Sequence, residues 1–194
     1  MLKTQKVKLL IIDNYDSFTY NLVQLVEQCG FMDYKLIKND KLIGFDLTDF
    51  DKILISPGPG VAKDAGDLIQ LIENNYKEKS MLGICLGYEA IGEFFGAKLS
   101  RLPEPMHGIQ NRGLIVKRDS LFNGIPDSFK IGHYHSWIFN EVDIPSNLHI
   151  LLKDENGLPM AFSHERYNLV GMQFHPESIM TEYGKDMISN WLNS

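Results

Sequence analysis

Cys85 lies between two glycines in Gly83-Ile84-Cys85-Leu86-Gly87, and its surroundings suit a nucleophile. The apolar run Ser80-Met81-Leu82-Gly83-Ile84 reads as a short buried strand, and Tyr88 to Phe95 takes up a helical pattern. Strand, Gly-x-nucleophile-x-Gly, helix is the layout of a nucleophile elbow. The tight turn strains the backbone at the nucleophile, and the glycines let neighbouring chain approach without a Cβ clash. A thiol placed there also meets the partial positive charge of a helix N-terminus, which favours the thiolate. The competing reading, a buried cysteine at a strand-to-turn junction, is disfavoured by the glycine spacing and the flanking elements.

A cysteine nucleophile needs a base, and the base needs an acceptor that orients it. Among His107, His133, His135, His149, His164 and His175, the last has the informative context. The buried strand Asn168 to Phe174 ends in His175-Pro176-Glu177-Ser178. If the chain stays extended there, residues two apart face one way, so Glu177 stands beside the imidazole. Such a carboxylate fixes the tautomer and stabilises the imidazolium that forms beside a thiolate. His133 and His135 could bind a metal at i, i+2, but no third ligand has suitable spacing; the alternative is a segment that frames a pocket through Ser136 and backbone groups. Pro57-Gly58-Pro59-Gly60 cannot continue the strand before it and offers unshielded backbone N–H groups.

These groups need elements to hold them. Val7 to Asp13, Tyr34 to Ile37, Lys52 to Ser56 and Ser80 to Ile84 read as strands, with helices from Phe18 to a stop at Gly30 and from Ala65 to Glu78. Asp16 or Ser17 is placed to cap the first helix. Successive βα units predict parallel strands with right-handed crossovers, whose functional loops gather at the strands' C-terminal ends. Gly58 and Cys85 both fall there. After Gly96 the pattern changes to short strands at Lys98–Leu102, Leu114–Lys117, Lys130–His135, His149–Lys153 and Pro159–Ser163. Asp154-Glu155-Asn156-Gly157 reads as a hairpin turn. This half reads as a more antiparallel continuation of the same layered α/β unit, closed by a helix from Tyr183 to Leu192.

The 194 residues, 44% hydrophobic and 23% charged, fit one globular domain, 1–194. A net charge of −6 argues against nucleic-acid and anionic-membrane partners. Met1 to Lys6 lacks the character of a signal peptide, and no run has the length of a membrane span. Cys29 and Cys85 make no disulfide framework, so a cytoplasmic setting is expected.

Together, Gly83-Ile84-Cys85-Leu86-Gly87, Ser56-Pro57-Gly58-Pro59-Gly60, Tyr134-His135-Ser136 and Gln173-Phe174-His175-Pro176-Glu177-Ser178 resemble the class I (triad-type) glutamine amidotransferases. The stretch Asp13-Asn14-Tyr15-Asp16-Ser17-Phe18-Thr19-Tyr20-Asn21-Leu22 is similar to the glutaminase component of anthranilate synthase and of its sister, aminodeoxychorismate synthase. The resemblance spans nearly the whole chain. It implies a three-layer, flavodoxin-like, open and mostly parallel sheet flanked by helices. It implies that Cys85 attacks the side-chain amide of L-glutamine, with His175 as base and Glu177 as its orienter. It further implies an oxyanion hole from the N–H groups of Gly58 and Leu86. The glutamine site would be lined by Gly58, Pro59, Gly60, Glu89, Ser136 and Trp137, and no cofactor or metal is implied. Ammonia would pass to a separate chorismate-binding synthase subunit (component I).

Two positions depart from the family pattern. Tyr88-Glu89 stands where relatives usually have His-Gln, so Glu89 is the counterpart of a substrate-contacting glutamine. Its carboxylate could accept from a substrate α-ammonium and could raise the thiol pKa. His107-Gly108-Ile109-Gln110-Asn111-Arg112 replaces the usual Lys-Thr or similar pair after His-Gly. The leading expectation is an anthranilate-forming glutaminase subunit. Its alternatives are the same role in aminodeoxychorismate synthesis, a non-catalytic regulatory subunit, and a free-standing hydrolase of another γ-glutamyl compound.

Overall fold

The structure, a computed structural model, describes residues 7–194; the polar lead Met1 to Lys6 lies outside the described residues. Strands and helices alternate first: β1 (Leu9–Asp13), α1 (Thr19–Gln28), β2 (Tyr34–Lys38), β3 (Lys52–Ile55), α2 (Leu68–Asn75), β4 (Ser80–Ile84) and α3 (Leu86–Phe94). The second half contributes β5 (Leu99–Ile115), β6 (Ser128–Phe139), β7 (Leu148–Asp154), β8 (Pro159–His164), β9 (Leu169–Met172) and α4 (Gly184–Leu192). The nine strands among the described residues form one sheet in the order β2-β1-β3-β4-β9-β8-β7-β5-β6. The five strands from β2 to β9 run parallel, and from β9 onward each neighbour is antiparallel. The mixed architecture expected from the residue pattern is therefore present, and β9 is where the two halves join.

Side-chain alternation in β1 explains the layering. Leu9 and Ile11 face one side with Leu22 and Val26 of α1 and Met187, Ile188 and Trp191 of α4. Leu10 and Ile12 face the other, with Leu68 and Ile72 of α2 and Ile91 of α3. A strand covered on both faces must be apolar throughout, as Leu9–Ile12 is. Gly30 ends α1 at φ +81°. Asp16 accepts from the Phe18 N–H at 2.7 Å and so orders the turn before α1 rather than capping its first residue. Among the described residues no helix is long and apolar enough to cross a membrane.

Residues 103–113 differ from expectation. β5 is one 17-residue strand, not two short ones separated by turns. Pro103, Pro105 and Gly108 give the sequence a broken look, but β5 absorbs them where its register with β6 shifts, between Arg101 and Met106 and between His107 and Ile109. Gly108 sits at φ +67° in the second shift. The Asp154–Gly157 turn joins β7 to β8 as expected, with Asp154 Oδ1 accepting from the N–H groups of Asn156 and Leu158.

The turn between β4 and α3 is so tight that its glycines touch. A Cβ on Gly83 would collide with the backbone of Gly87 and lie 2.7 Å from the Tyr88 nitrogen. A Cβ on Gly87 would lie 2.7 Å from the Ile55 carbonyl oxygen. Backbone atoms of a central strand and helix cannot yield cheaply. Gly83→Ala is expected to cost about 1–3 kcal/mol or more, seen as a fall of several degrees in Tm. An unchanged melting curve would show that the elbow has slack this geometry denies it.

Candidate active site

Parallel pairing sets the C-terminal ends of β1, β3, β4 and β9 side by side, and the segment after each carries a polar or reactive group. Cys85 follows β4 at φ +51° and ψ −103°, a conformation that side-chain-bearing residues rarely adopt. Its N–H donates to the Met172 carbonyl of β9 at 2.8 Å, and its carbonyl accepts from the Glu89 N–H at 2.9 Å. The elbow is thus pinned from both sides. Over the sulfur lies a crevice of about 280 Å³. Cys85 and Glu89 line it from one side, Gly58, Pro59 and Gly60 from the loop after β3, His107 from β5, and Tyr134 to Trp137 from β6. A larger groove of about 470 Å³ beside α2 has neither cysteine nor histidine in its lining.

The loop after β3 is held by its neighbour from β1. Asn14 donates from Nδ2 to the Ser56 carbonyl at 2.7 Å and from its backbone to Ser56 Oγ at 2.9 Å. Asn39 donates in turn to Asn14 Oδ1 at 3.1 Å. Gly58 lies so close that a Cβ there would be 2.5 Å from Leu86 Cδ2 and 2.6 Å from Asn14 Cβ. Gly58 therefore packs directly against the Leu86 side chain and against Asn14. Leu86 is the first residue of α3, where an N–H has no intrahelical acceptor.

His175 and Glu177 meet, though not through an extended strand. β9 stops at Met172, and the Ser178 N–H donates back to the His175 carbonyl at 3.2 Å, closing a turn. The turn brings His175 Nδ1 to 2.6 Å from Glu177 Oε1, with both side chains buried. Pro176 takes the second position of this turn, which replaces the expected i, i+2 strand geometry. In a neutral imidazole, a carboxylate accepting at Nδ1 keeps the proton on that nitrogen and leaves Nε2 its lone pair. Nε2 is buried and has no hydrogen-bond partner among the described residues. Phe18 and Tyr134 pack edge-on against the ring, with centroids at 5.7 and 5.1 Å, and fix its plane.

The other buried histidines are fully engaged. His133 Nδ1 pairs with His135 Nε2 at 3.0 Å, His133 Nε2 with Asn111 Oδ1 at 2.6 Å, and His135 Nδ1 with the Trp137 carbonyl at 2.9 Å. Burial lowers their pKa values to about 4 and about 3, so both are neutral at pH 7. They brace β6, which presents Ser136 and Trp137 to the crevice. Only His175 combines a carboxylate on one nitrogen with an open second nitrogen among the described residues.

The thiol itself is not pre-ionised. Burial pushes the Cys85 pKa well up, and the charges of Glu89, Glu177 and Asp16 add to this; the Leu86 N–H pulls the other way but loses. The pull of the helix terminus toward a thiolate is thus outweighed by desolvation and nearby carboxylates. Tyr88 turns away from the crevice: its hydroxyl donates to the Pro159 carbonyl at 3.1 Å, and its ring packs 4.6 Å from that of Phe162. Glu89 turns toward it. Its side chain is 2% exposed, and burial raises its pKa to about 8 despite a hydrogen bond from Gln173.

That elevation has a consequence for stability. Between pH 4.5 and about 8 the folded chain holds a proton at Glu89 that the unfolded chain has lost, so this group's contribution falls as pH rises. Glu89→Gln removes the effect. Its stability relative to the parent is expected to grow with pH across that window, by at most about 1.4 kcal/mol per unit, and to level off above it. Thermal unfolding of both proteins from pH 5 to 9 reads this out, and a gap that stays constant refutes it.

Gln173 and Asn14 are the residues whose importance the sequence reading did not single out. Gln173 is fully buried, with Nε2 3.1 Å from Glu89 Oε1 and 3.8 Å from Cys85 Sγ. The available signal was a lone polar residue inside the apolar run Leu169 to Phe174. For Asn14 it was an amide directly after a buried strand.

The "Glutamine amidotransferase class-I" family model matches residues 10–194. A putative anthranilate synthase component II from Haemophilus influenzae is 40% identical over 96% of this chain and 96% of its own length. Anthranilate synthase component 2 from Saccharolobus solfataricus is 40% identical over 95% of this chain and 97% of that protein, and the Lactococcus lactis protein of that name 42% over 95% and 93%. Among solved structures, a putative GMP synthase subunit from Thermoplasma acidophilum superposes with a TM-score of 0.85 at 22% identity, covering 97% of this chain and 93% of the other. A glutamine amidotransferase from Thermotoga maritima gives 0.78 at 17% identity, with 97% of each covered. These two likenesses concern the fold.

Proposed function

The chain belongs to the class-I glutamine amidotransferase family, and from that membership we propose that it is a glutaminase subunit using a Cys85–His175–Glu177 triad to feed ammonia to a chorismate-binding synthase subunit. The observation that carries this reading is the strained, pinned Cys85 in a crevice with Gly58 packed on Leu86, together with a His175 whose Nδ1 is held by Glu177 and whose Nε2 is open.

In this mechanism glutamine enters the crevice with its side-chain amide over Cys85. His175 Nε2 takes the thiol proton as Sγ attacks the amide carbon. The N–H groups of Gly58 and Leu86 meet the oxyanion that forms. His175 returns the proton to the nitrogen as the C–N bond breaks and ammonia leaves. The γ-glutamyl thioester is then hydrolysed by water that His175 activates, giving glutamate and free thiol. Gly58, Pro59, Gly60, Ser136 and Trp137 hold the substrate, and no metal or cofactor enters the sequence of steps. The raised thiol pKa makes His175 indispensable, since little thiolate forms without a base.

The names of the relatives favour anthranilate formation, in tryptophan synthesis, over the parallel role in aminodeoxychorismate formation for folate. Ammonia release from glutamine, measured with and without an anthranilate synthase component I and with an aminodeoxychorismate synthase counterpart, tests the proposal. Turnover stimulated by component I is expected. Folded protein that releases no ammonia in any mixture rules it out. Stoichiometric labelling of Cys85 by a glutamine-analogue electrophile separates this reading from a non-catalytic regulatory subunit, which the unusual Glu89 would otherwise suggest.

A further inference from the structure

We propose that Glu89 is held in the free protein as a neutral acid paired with Gln173, and that it gives up its proton when the α-ammonium group of glutamine enters the crevice. This makes substrate binding proton-linked, and it rests on the glutaminase reading for the identity of the ligand.

Gln173 Nε2 donates to Glu89 Oε1 at 3.1 Å, while Gln173 Oε1 is buried without a donor among the described residues. A buried acceptor left unpaired costs about 1–3 kcal/mol. A proton on the second Glu89 oxygen, donated to Gln173 Oε1, closes a two-bond acid–amide pair and removes the orphan. The surroundings favour that proton. Among the described residues no lysine or arginine lines the crevice. On its own helix Glu89 is faced by Cys85 and by Glu93, whose charge raises it further. From the segment after β9 it meets the Gln173 amide, and from β5 and β6 the crevice receives His107 and His135, the latter neutral through burial. The carboxyl's elevation to about 8 agrees with this accounting.

A cation delivered by the ligand reverses the balance. An ammonium group beside Glu89 favours the carboxylate, and its several N–H donors can serve both Glu89 and the Gln173 oxygen. The released proton goes to solvent. A glutamine side chain at position 89 would accept from the same ammonium without any proton exchange, so Glu89 is what ties affinity to pH. Ligands that lack the ammonium would leave the acid–amide pair intact and lose this contact.

Two measurements on full-length Cys85→Ser protein, which cannot turn over through the thiol, test the proposal. The first needs no ligand: the carboxyl carbon-13 shift of Glu89, assigned by its loss in Glu89→Gln, is followed from pH 4 to 10. Protonation through neutral pH with a midpoint near 8 is expected; a midpoint in the ordinary carboxylate range overturns the neutral acid. The second is calorimetry of L-glutamine binding at pH 7 in phosphate and in Tris, whose ionisation enthalpies differ. Release of nearly one proton per glutamine is expected, and none in Cys85→Ser/Glu89→Gln. Equal heats in the two buffers, or undiminished release in the double variant, overturn the linkage. A protein that binds no glutamine overturns the linkage together with the glutaminase reading, and the ligand-free titration still decides the acid–amide pair.

Discussion

Replacing Cys85 by serine is expected to lower ammonia release from glutamine by at least about 10³-fold while leaving the fold in place. The fold survives because the residue's structural work is done by its backbone: the N–H on Met172, the carbonyl on Glu89, and the φ of +51°. The sulfur adds a 3.8 Å contact with Gln173 Nε2 and a hydrogen bond from the Leu86 N–H, both of which a serine hydroxyl can also accept. Chemistry fails because a hydroxyl is a far poorer acid and nucleophile than a thiol, in a pocket where burial and carboxylates already oppose the anion. His175 would have to remove a proton from an alcohol without the help of a fourth group. Steady-state assays beside circular dichroism check both halves, and retention of more than about one per cent of turnover would remove Cys85 from the nucleophile's role.

The second large effect is expected from Gly58→Ala, about 10²–10³-fold in kcat with a smaller change in KM, the scale of losing one oxyanion donor. A methyl group there meets Leu86 Cδ2 at 2.5 Å, which can rotate away, and Asn14 Cβ and carbonyl oxygen at 2.6 and 2.9 Å, which cannot. Asn14 is fixed by its own bonds to Ser56 and Asn39. The loop must therefore lift, carrying the Gly58 N–H out of the oxyanion-donor position proposed for it. Alkylation of Cys85 by a simple haloacetamide passes through no oxyanion, so it should continue at nearly the parental rate. Turnover within a few fold of the parent would mean that Gly58 supplies no donor. Turnover and alkylation lost together would point to collapse of the crevice.

Both predictions depend on relations between loops far apart in sequence. Local patterning already marked the elements concerned: the near-continuous apolar run of β1, the glycine-flanked cysteine, and the stop after β9 at His175-Pro176. These are legible because buried parallel strands must be apolar and because only glycine permits the elbow's close approaches. The unbroken course of β5 was not legible. Proline and glycine signal a turn locally, and only pairing with β6 shows that two register shifts absorb them.

Residue types and spacing by themselves determined the βα alternation, the nucleophile elbow, and the candidacy of Cys85, His175, Glu177 and Gly58. Burial and cross-strand neighbours decided what those groups experience. Pairing of β4 with β9 put Gln173 beside Cys85 and Glu89, and a turn rather than a strand joined His175 to Glu177. The sequence suggested a thiol primed by a helix end; the folded chain buries it among carboxylates and keeps it protonated. The same low-dielectric packing lifts Glu89 to near-neutral pH. Desolvation sums over everything packed around a group, and most of that packing comes from residues distant in the chain.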